Sequence, residues 1–434
     1  MRFKNVFRKE LLLSFFVFFH FINCNAQDVS FAKKIIDTLC SNSMFGRGYS
    51  HNGNKIAALF LKNEFIKLQL DSFPSGYFQS FPININTIEG DVKLIIGKKQ
   101  LSPGIDFLVD ASSPKSKGKF KTFLIDSSFI SLKENIKNLQ GTNFSNKIVI
   151  IDKKGVNDKE ILALLDGLNT TNYLKAKAFI YIQDKKLSWG LSDGQNVNNF
   201  PVFEVARTSL PSEIKKVTFS LENKFTNNYE TQNVIGYVKG KLQPDSFFVF
   251  TAHYDHLGMM GNKTLFPGAN DNASGVAMAL NLMQYYSLPE NKPDYSIVFI
   301  ATSTEELGIL GSKYFCSNPI FDLSKIKFLI NLDMVSTGDD GIMIVNGGVF
   351  TKEYDKIVEI NTAHNYIKTI KKRGEAKNSD HWYFYKNGVK CFFIYTMGGI
   401  SEYHNIYDKP ETLPFTAYND LFKLILDFVK DFNK

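Results

Sequence analysis

Phe247-Phe248-Val249-Phe250-Thr251-Ala252-His253-Tyr254-Asp255-His256-Leu257-Gly258 is the stretch that decides the fold, with its continuation Pro267-Gly268-Ala269-Asn270-Asp271-Asn272-Ala273-Ser274-Gly275. The run Phe247 to Ala252 is apolar, aromatic and too short for a helix, which predicts a buried strand. The Gly- and Asn-rich segment then leads into the helical pattern 273–286. The same alternation continues along the chain. Apolar runs at 297–301, 328–332, 342–345 and 390–395 alternate with helical stretches at 307–315, 352–362 and 418–432. This predicts a three-layer α/β/α domain with a mainly parallel central sheet. Open sheets of that kind bind ligands beyond the carboxyl ends of their strands, where His253 falls.

Upstream the texture differs. Residues 28–72 read as helical with a break at Phe45-Gly46-Arg47-Gly48. Residues 81–221 carry short strands at 92–96, 120–125, 147–151 and 178–182, separated by Gly, Pro, Ser and Asn, with one helix near 159–168. The expected organisation is an N-terminal part of the α/β domain over 27–81, an inserted mostly-β domain over 82–222 and the rest of the α/β domain, with the chemistry-bearing residues, over 223–434. The inserted stretch holds no cluster of His, Asp or Glu with ligand spacing.

At the N-terminus Arg2, Lys4, Arg8 and Lys9 precede the apolar run Leu11–Ile22. Its twelve residues fall short of the ~20 that span a bilayer and match the core of a secretory leader. Small residues at Cys24 and Ala26 place the cut after Ala26, so residues 1–26 are expected to be a signal peptide and the mature protein to be exported, with no transmembrane segment. Lipid attachment at Cys24 is disfavoured by Asn23, where a lipoprotein box prefers Gly, Ala or Ser. The formal charge of +8 on 434 residues is modest, and part of it sits in the leader, so no nucleic-acid partner is expected. With 44% hydrophobic and 22% charged residues the chain is an ordinary globular one. Its four cysteines include no C-x-x-C pair, so a metal would have to sit on His and carboxylates.

Candidate ligands do appear, at strand ends. His253 and Asp255 stand two apart on an extended segment and share a face, so the carboxylate can fix the imidazole tautomer while the imidazole binds a metal. Asp271 ordinarily would be a helix cap, yet one carboxylate can also give an oxygen to each of two cations. Glu305 and Glu306 close the strand 297–301 and point in different directions, so one can ligate while the other stays free as a base. Asp333 closes the strand 328–332, and His404 follows the strand 390–395. Each alone has a bland explanation: a strand boundary, a dipole-favoured Glu or a solvated loop His. Their joint placement at one edge of one sheet does not. Asp271, Glu306, Asp333 and a bridging hydroxide carry the four negative charges that balance two Zn²⁺.

Taken together, the motifs Ala252–Gly258, Pro267–Gly275, Thr304-Glu305-Glu306-Leu307-Gly308, Asn331-Leu332-Asp333-Met334, Ser379-Asp380-His381 and Tyr403-His404 resemble the co-catalytic di-zinc aminopeptidases that include bacterial leucyl aminopeptidase and aminopeptidase Y. The insert more weakly resembles a protease-associated domain, through Asn146–Asp152 and Phe200-Pro201-Val202-Phe203. The resemblance implies a peptidase domain built from 27–81 and 223–434, with one metal held by His253, Asp271 and Asp333 and another by Asp271, Glu306 and His404. It also implies Glu305 as the base, Asp255 as the orienter of His253, a cis Asp271–Asn272 peptide and peptide substrates attacked at a free amino end. It leaves Asp380 and His381 without a role. Rivals of the same fold are carboxypeptidases, the single-zinc glutaminyl cyclases, which lack the first-metal His that is present here, and transferrin-receptor-like binding proteins, which lose ligands. A serine hydrolase is disfavoured because no G-x-S-x-G elbow occurs.

Overall fold

The computed structural model describes residues 29–139 and 142–432; the expected leader 1–26, with Cys24, lies outside them. The strand Gln243–His253 lies inside an eight-stranded sheet, paired in parallel with Tyr295–Thr302 on one side and Ile326–Leu332 on the other. Cys391–Met397 adds a fourth parallel strand. Lys224–Val238 and Phe78–Thr87 continue the sheet antiparallel past Tyr295–Thr302. Gly341–Val345 and Ile370–Lys372 complete the other end.

The apolar runs are continuous because both faces of these strands are covered. Phe248, Phe250 and Ala252 point into a core shared with helices Val29–Leu39, Gly53–Lys67, Gly275–Ser287, Thr351–His364 and Tyr418–Phe432. Phe247 and Val249 alternate to the opposite face, against helices Leu310–Ser317 and His381–Lys386. The expected three-layer α/β/α architecture is therefore the observed one, with a sheet that is parallel at its centre and mixed at its ends.

A second eight-stranded sheet is built from the chain between Val92 and Leu221, with Lys99–Leu101 and Phe107–Val109 at its edges. Its inner strands Ser116–Ile125, Lys147–Ile151, Ala178–Gln183 and Val202–Ala206 are parallel neighbours. Helices Ser127–Ile130, Lys133–Leu139 and Lys159–Asp166 cover one of its faces. The other face packs Phe107, Ile148, Ile180 and Trp189 into one core with Leu257, Met260, Phe266 and Leu307 of the first unit. The chain enters and leaves this region along a single antiparallel ribbon, from Phe78 opposite Val234 to Thr87 opposite Lys224. Phe78–Thr87 thus straddles residues 81 and 82, where the sequence suggests a boundary.

The Gly46-Arg47-Gly48 break has a packing reason. A Cβ on Gly48 would lie 2.4 Å from the Gly258 Cα, so only glycine lets these two backbones meet. Between them the fully buried Arg47 sends Nε to the Tyr254 carbonyl at 2.8 Å, Nη1 to Pro267 at 2.6 Å and Leu39 at 3.1 Å, and Nη2 to Gly268 at 2.7 Å. This ties the N-terminal helices to the Asp271 loop. An ammonium lacks the planar fork that spans these carbonyls, and each buried carbonyl left unpaired costs about 1–3 kcal/mol. Arg47→Lys is expected to destabilise the protein by at least about 2 kcal/mol in denaturant unfolding; an unchanged midpoint would refute the assigned role.

Candidate metal centre

Parallel strand ends and two loops bring the candidate ligands together. His253 is the last residue of its strand and lies in register with Thr302; Asp333 directly follows Leu332. Asp271 lies in the turn before helix Gly275–Ser287, with the cis Asp271–Asn272 peptide that the resemblance implies. His404 sits on the loop after Cys391–Met397.

The two Asp271 oxygens face opposite ways. Oδ1 is 3.3 Å from His253 Nε2, which is 3.5 Å from Asp333 Oδ1. Oδ2 is 3.1 Å from His404 Nε2, which is 3.1 Å from Glu306 Oε2. A tetrahedral ion with bonds of ~2.0–2.1 Å holds its ligand atoms ~3.3 Å apart, so both clusters fit zinc. Asp333 Oδ1 is buried without a hydrogen-bond donor, the condition of an oxygen waiting for a cation. The donor set of imidazoles and carboxylates suits the same ion.

Surrounding groups orient these ligands. His253 Nδ1 lies 3.1 Å from the Asp255 carbonyl oxygen and 3.8 Å from its carboxylate. That carboxylate instead accepts from the Glu305 amide at 3.2 Å and from the Tyr49 hydroxyl at 3.1 Å, so it also anchors the two-glutamate turn. Ser379 donates to Asp333 Oδ2 at 2.8 Å and accepts from Asn331 Nδ2 at 2.7 Å. Asp380 accepts from Thr302 at 2.6 Å. On the Asp271 loop, Asn272 donates to Leu332 and accepts from Gly275 and Met334. Asp408 accepts from the Asn270 and Asp271 amides at 2.8 and 3.0 Å.

So many carboxylates in one desolvated place perturb one another. Burial, with Glu306, Asp333 and Asp380 adding to it against the opposing pull of His253, holds the Glu305 carboxyl well above the ordinary carboxylate range. Burial likewise pushes Asp255 to about 7. His404 is held down by burial but raised more by Glu306 and Asp271, to about 11. Such a concentration of negative charge is neutralised by dications better than by protons.

All seven residues proposed from the sequence therefore converge: His253, Asp255, Asp271, Glu305, Glu306, Asp333 and His404. Sequence reasoning missed His256, whose Nδ1 lies 2.7 Å from Glu306 Oε1 and leaves Oε2 for the cluster. Its position directly after Asp255 was the available signal. It also missed Arg47 and Asp408, isolated charges that only their burial exposes as unusual. Ser379 and Asp380, left unassigned, stand behind Asp333 and Thr302.

Comparison with known proteins agrees with this geometry. The profile of peptidase family M28 matches residues 233–429. Aminopeptidase YwaD of Bacillus subtilis is 33% identical over 190 residues, 41% of this chain and 40% of its own. A probable zinc metalloprotease of Leptosphaeria maculans is 34% identical over 113 residues, 25% of this chain and 26% of its own. The chain thus spans less than half the length of the curated relatives it matches. Among solved structures, BSAP, a zinc aminopeptidase from Bacillus subtilis, superposes with a TM-score of 0.71 at 21% identity, covering 94% of this chain and 96% of that one. An aminopeptidase from Aneurinibacillus sp. strain AM-1 gives 0.66 at 18%, covering 94% of each. At that identity the likeness establishes the fold. The match to peptidase family M28 thus spans residues 233–429, which carry every candidate ligand described above.

Proposed function

We propose that this chain is an exported di-zinc aminopeptidase with Glu305 as general base. The observation that carries the reading is Asp271, with one oxygen turned to each ligand cluster and Glu305 beside them. His253, Asp271 and Asp333 would hold one ion, and Asp271, Glu306 and His404 the other. Bound there, zinc would supply Lewis acidity toward the scissile carbonyl and lower the pKa of the attacking water. Glu305 takes the water proton and delivers it to the leaving amine; its raised proton affinity suits both halves of that transfer. Asp255 fixes the Glu305 backbone through its amide, so the base is held while its carboxyl stays free to move a proton.

Attack at the amino end is favoured over the carboxyl end by the state of the arginines. A carboxypeptidase needs a clamp for a terminal carboxylate, usually a bidentate Arg. Arg207 is already engaged with Asp152, with both guanidinium ends within 2.8 Å, and also with Asp184. Arg47 is sealed among backbone carbonyls, and Arg373 is exposed in a Lys-rich stretch outside the ligand-bearing motifs. Residues 1–26 are proposed as the cleaved leader and 82–222 as a protease-associated-like insert in a peptidase domain formed by 27–81 and 223–434. No helix among the described residues is long and apolar enough to cross a membrane.

Glu305→Gln is expected to keep both zinc ions and the fold while losing hydrolysis by at least ~10². Elemental analysis with steady-state kinetics checks this, and activity within a few fold of wild type would remove Glu305 from the role. On matched tetrapeptides, acetylating the amino end should abolish cleavage, amidating the carboxyl end should change it little, and a chelator should stop it. The reverse dependence on the two ends would replace the aminopeptidase reading with the carboxypeptidase one.

A further inference from the structure

The two ligand clusters are supported differently. His253 and Asp333 stand at the ends of paired parallel strands, where the ladder itself sets their backbone. Glu306 and His404 stand on loops. His404 also adopts φ 52, a left-handed conformation that costs a residue with a side chain about 1–3 kcal/mol and persists only where neighbours impose it.

The neighbour is the inserted unit. After the strand Ala178–Gln183 its chain crosses to the catalytic unit, where the Trp189 amide donates to the His404 carbonyl at 2.9 Å. Lys186 pairs with Glu402, two residues before His404. Gln195 Nε2 donates to the Leu307 carbonyl at 2.8 Å, directly after Glu306. The Trp189 ring packs on Phe266 at 4.8 Å, just before the Pro267–Asp271 turn. Trp189 is in turn fixed to its own unit by Nε1 donating to Val109 at 2.7 Å. One loop thus touches all three segments that bear Asp271, Glu306 and His404. The exposed Lys186–Glu402 pair adds little energy; the buried amide and indole carry the contact.

We propose that residues 186–195 of the insert hold the second ligand cluster in shape, with Trp189 as the positioning residue for His404. The inference rests on the two-metal reading and gives a definite role to an insert that supplies no ligand. The insert sets affinity at the second site and reaches the first only through the shared Asp271, whose loop Arg47 and Asp408 hold independently. Trp189→Ala removes the indole, and Trp189→Pro removes the indole and the amide donor, so their difference reports the hydrogen bond to His404.

The test is a zinc titration of stripped protein by chelator competition. Wild type should take up two ions. Trp189→Ala and Gln195→Ala should leave the first site within ~3-fold and weaken the second by ~10-fold or more, the usual scale for groups that orient metal ligands, with Trp189→Pro weaker still. Amide exchange over residues 402–406 of the zinc-free protein should be faster in both Trp189 variants, a readout independent of metal and activity. If Trp189→Pro does not fold, Trp189→Ala and Gln195→Ala decide the matter. A second site within ~3-fold of wild type in the folded variants, or equal weakening of both sites, would overturn the inference. A wild type that binds one ion would overturn the two-metal reading itself, and this inference with it.

Discussion

Asp271 turns one carboxylate oxygen to His253 and the other to His404, and much of the surrounding structure holds it in that position. Its loop is gripped from both sides of the peptide chain. Arg47 satisfies the carbonyls of Pro267 and Gly268, and Asp408 satisfies the amides of Asn270 and Asp271. Each of these buried charges is solvated by the dipoles of the loop it holds, so loop and charges stabilise one another. Burying a cation or an anion with no such partners would be strongly unfavourable.

The second constraint is electrostatic. Asp271, Glu305, Glu306 and Asp333 meet where water is largely excluded, and their proton affinities diverge as a result. Glu305, which belongs to neither ligand cluster, is pushed up by burial and by its acidic neighbours. Glu306, with His256 on one oxygen and His404 on the other, is held at about 2 despite its burial. Adjacent carboxylates in one turn are thereby pushed in opposite directions, the divergence that the proposed base and ligand roles call for.

The scaffold explains where rigidity comes from and where it has to be added. A parallel sheet covered on both faces delivers His253, Thr302 and Asp333 at a common edge with little freedom. The loop ligands need further contacts, and the second sheet supplies them through a core that unites Phe107, Ile180 and Trp189 with Leu257, Phe266 and Leu307. The two sheets are therefore coupled bodies: the ribbon Phe78–Thr87 with Lys224–Val238 connects them covalently, and the shared apolar face packs one against the other.

Local patterning made much of this legible in the sequence. Short apolar runs followed by helical periods report the central sheet and its layers, because a strand buried on both faces has to be apolar throughout, and the observed strands extend the expected 247–252, 297–301 and 328–332 by only a few residues. The convergence of the seven candidate residues was legible for a related reason: topology places the ends of parallel strands, and the loops that follow them, at one edge, so His and carboxylates near those ends can be grouped without coordinates. What tertiary structure alone decided lies at large sequence separation. Arg47 meets Pro267 and Gly268, Asp408 meets the Asn270 and Asp271 amides, and Trp189 meets His404 through backbone groups or isolated charges that leave no period or spacing in the sequence. A backbone amide is the same in every residue but proline, so which carbonyl it finds is determined only when the chain has packed.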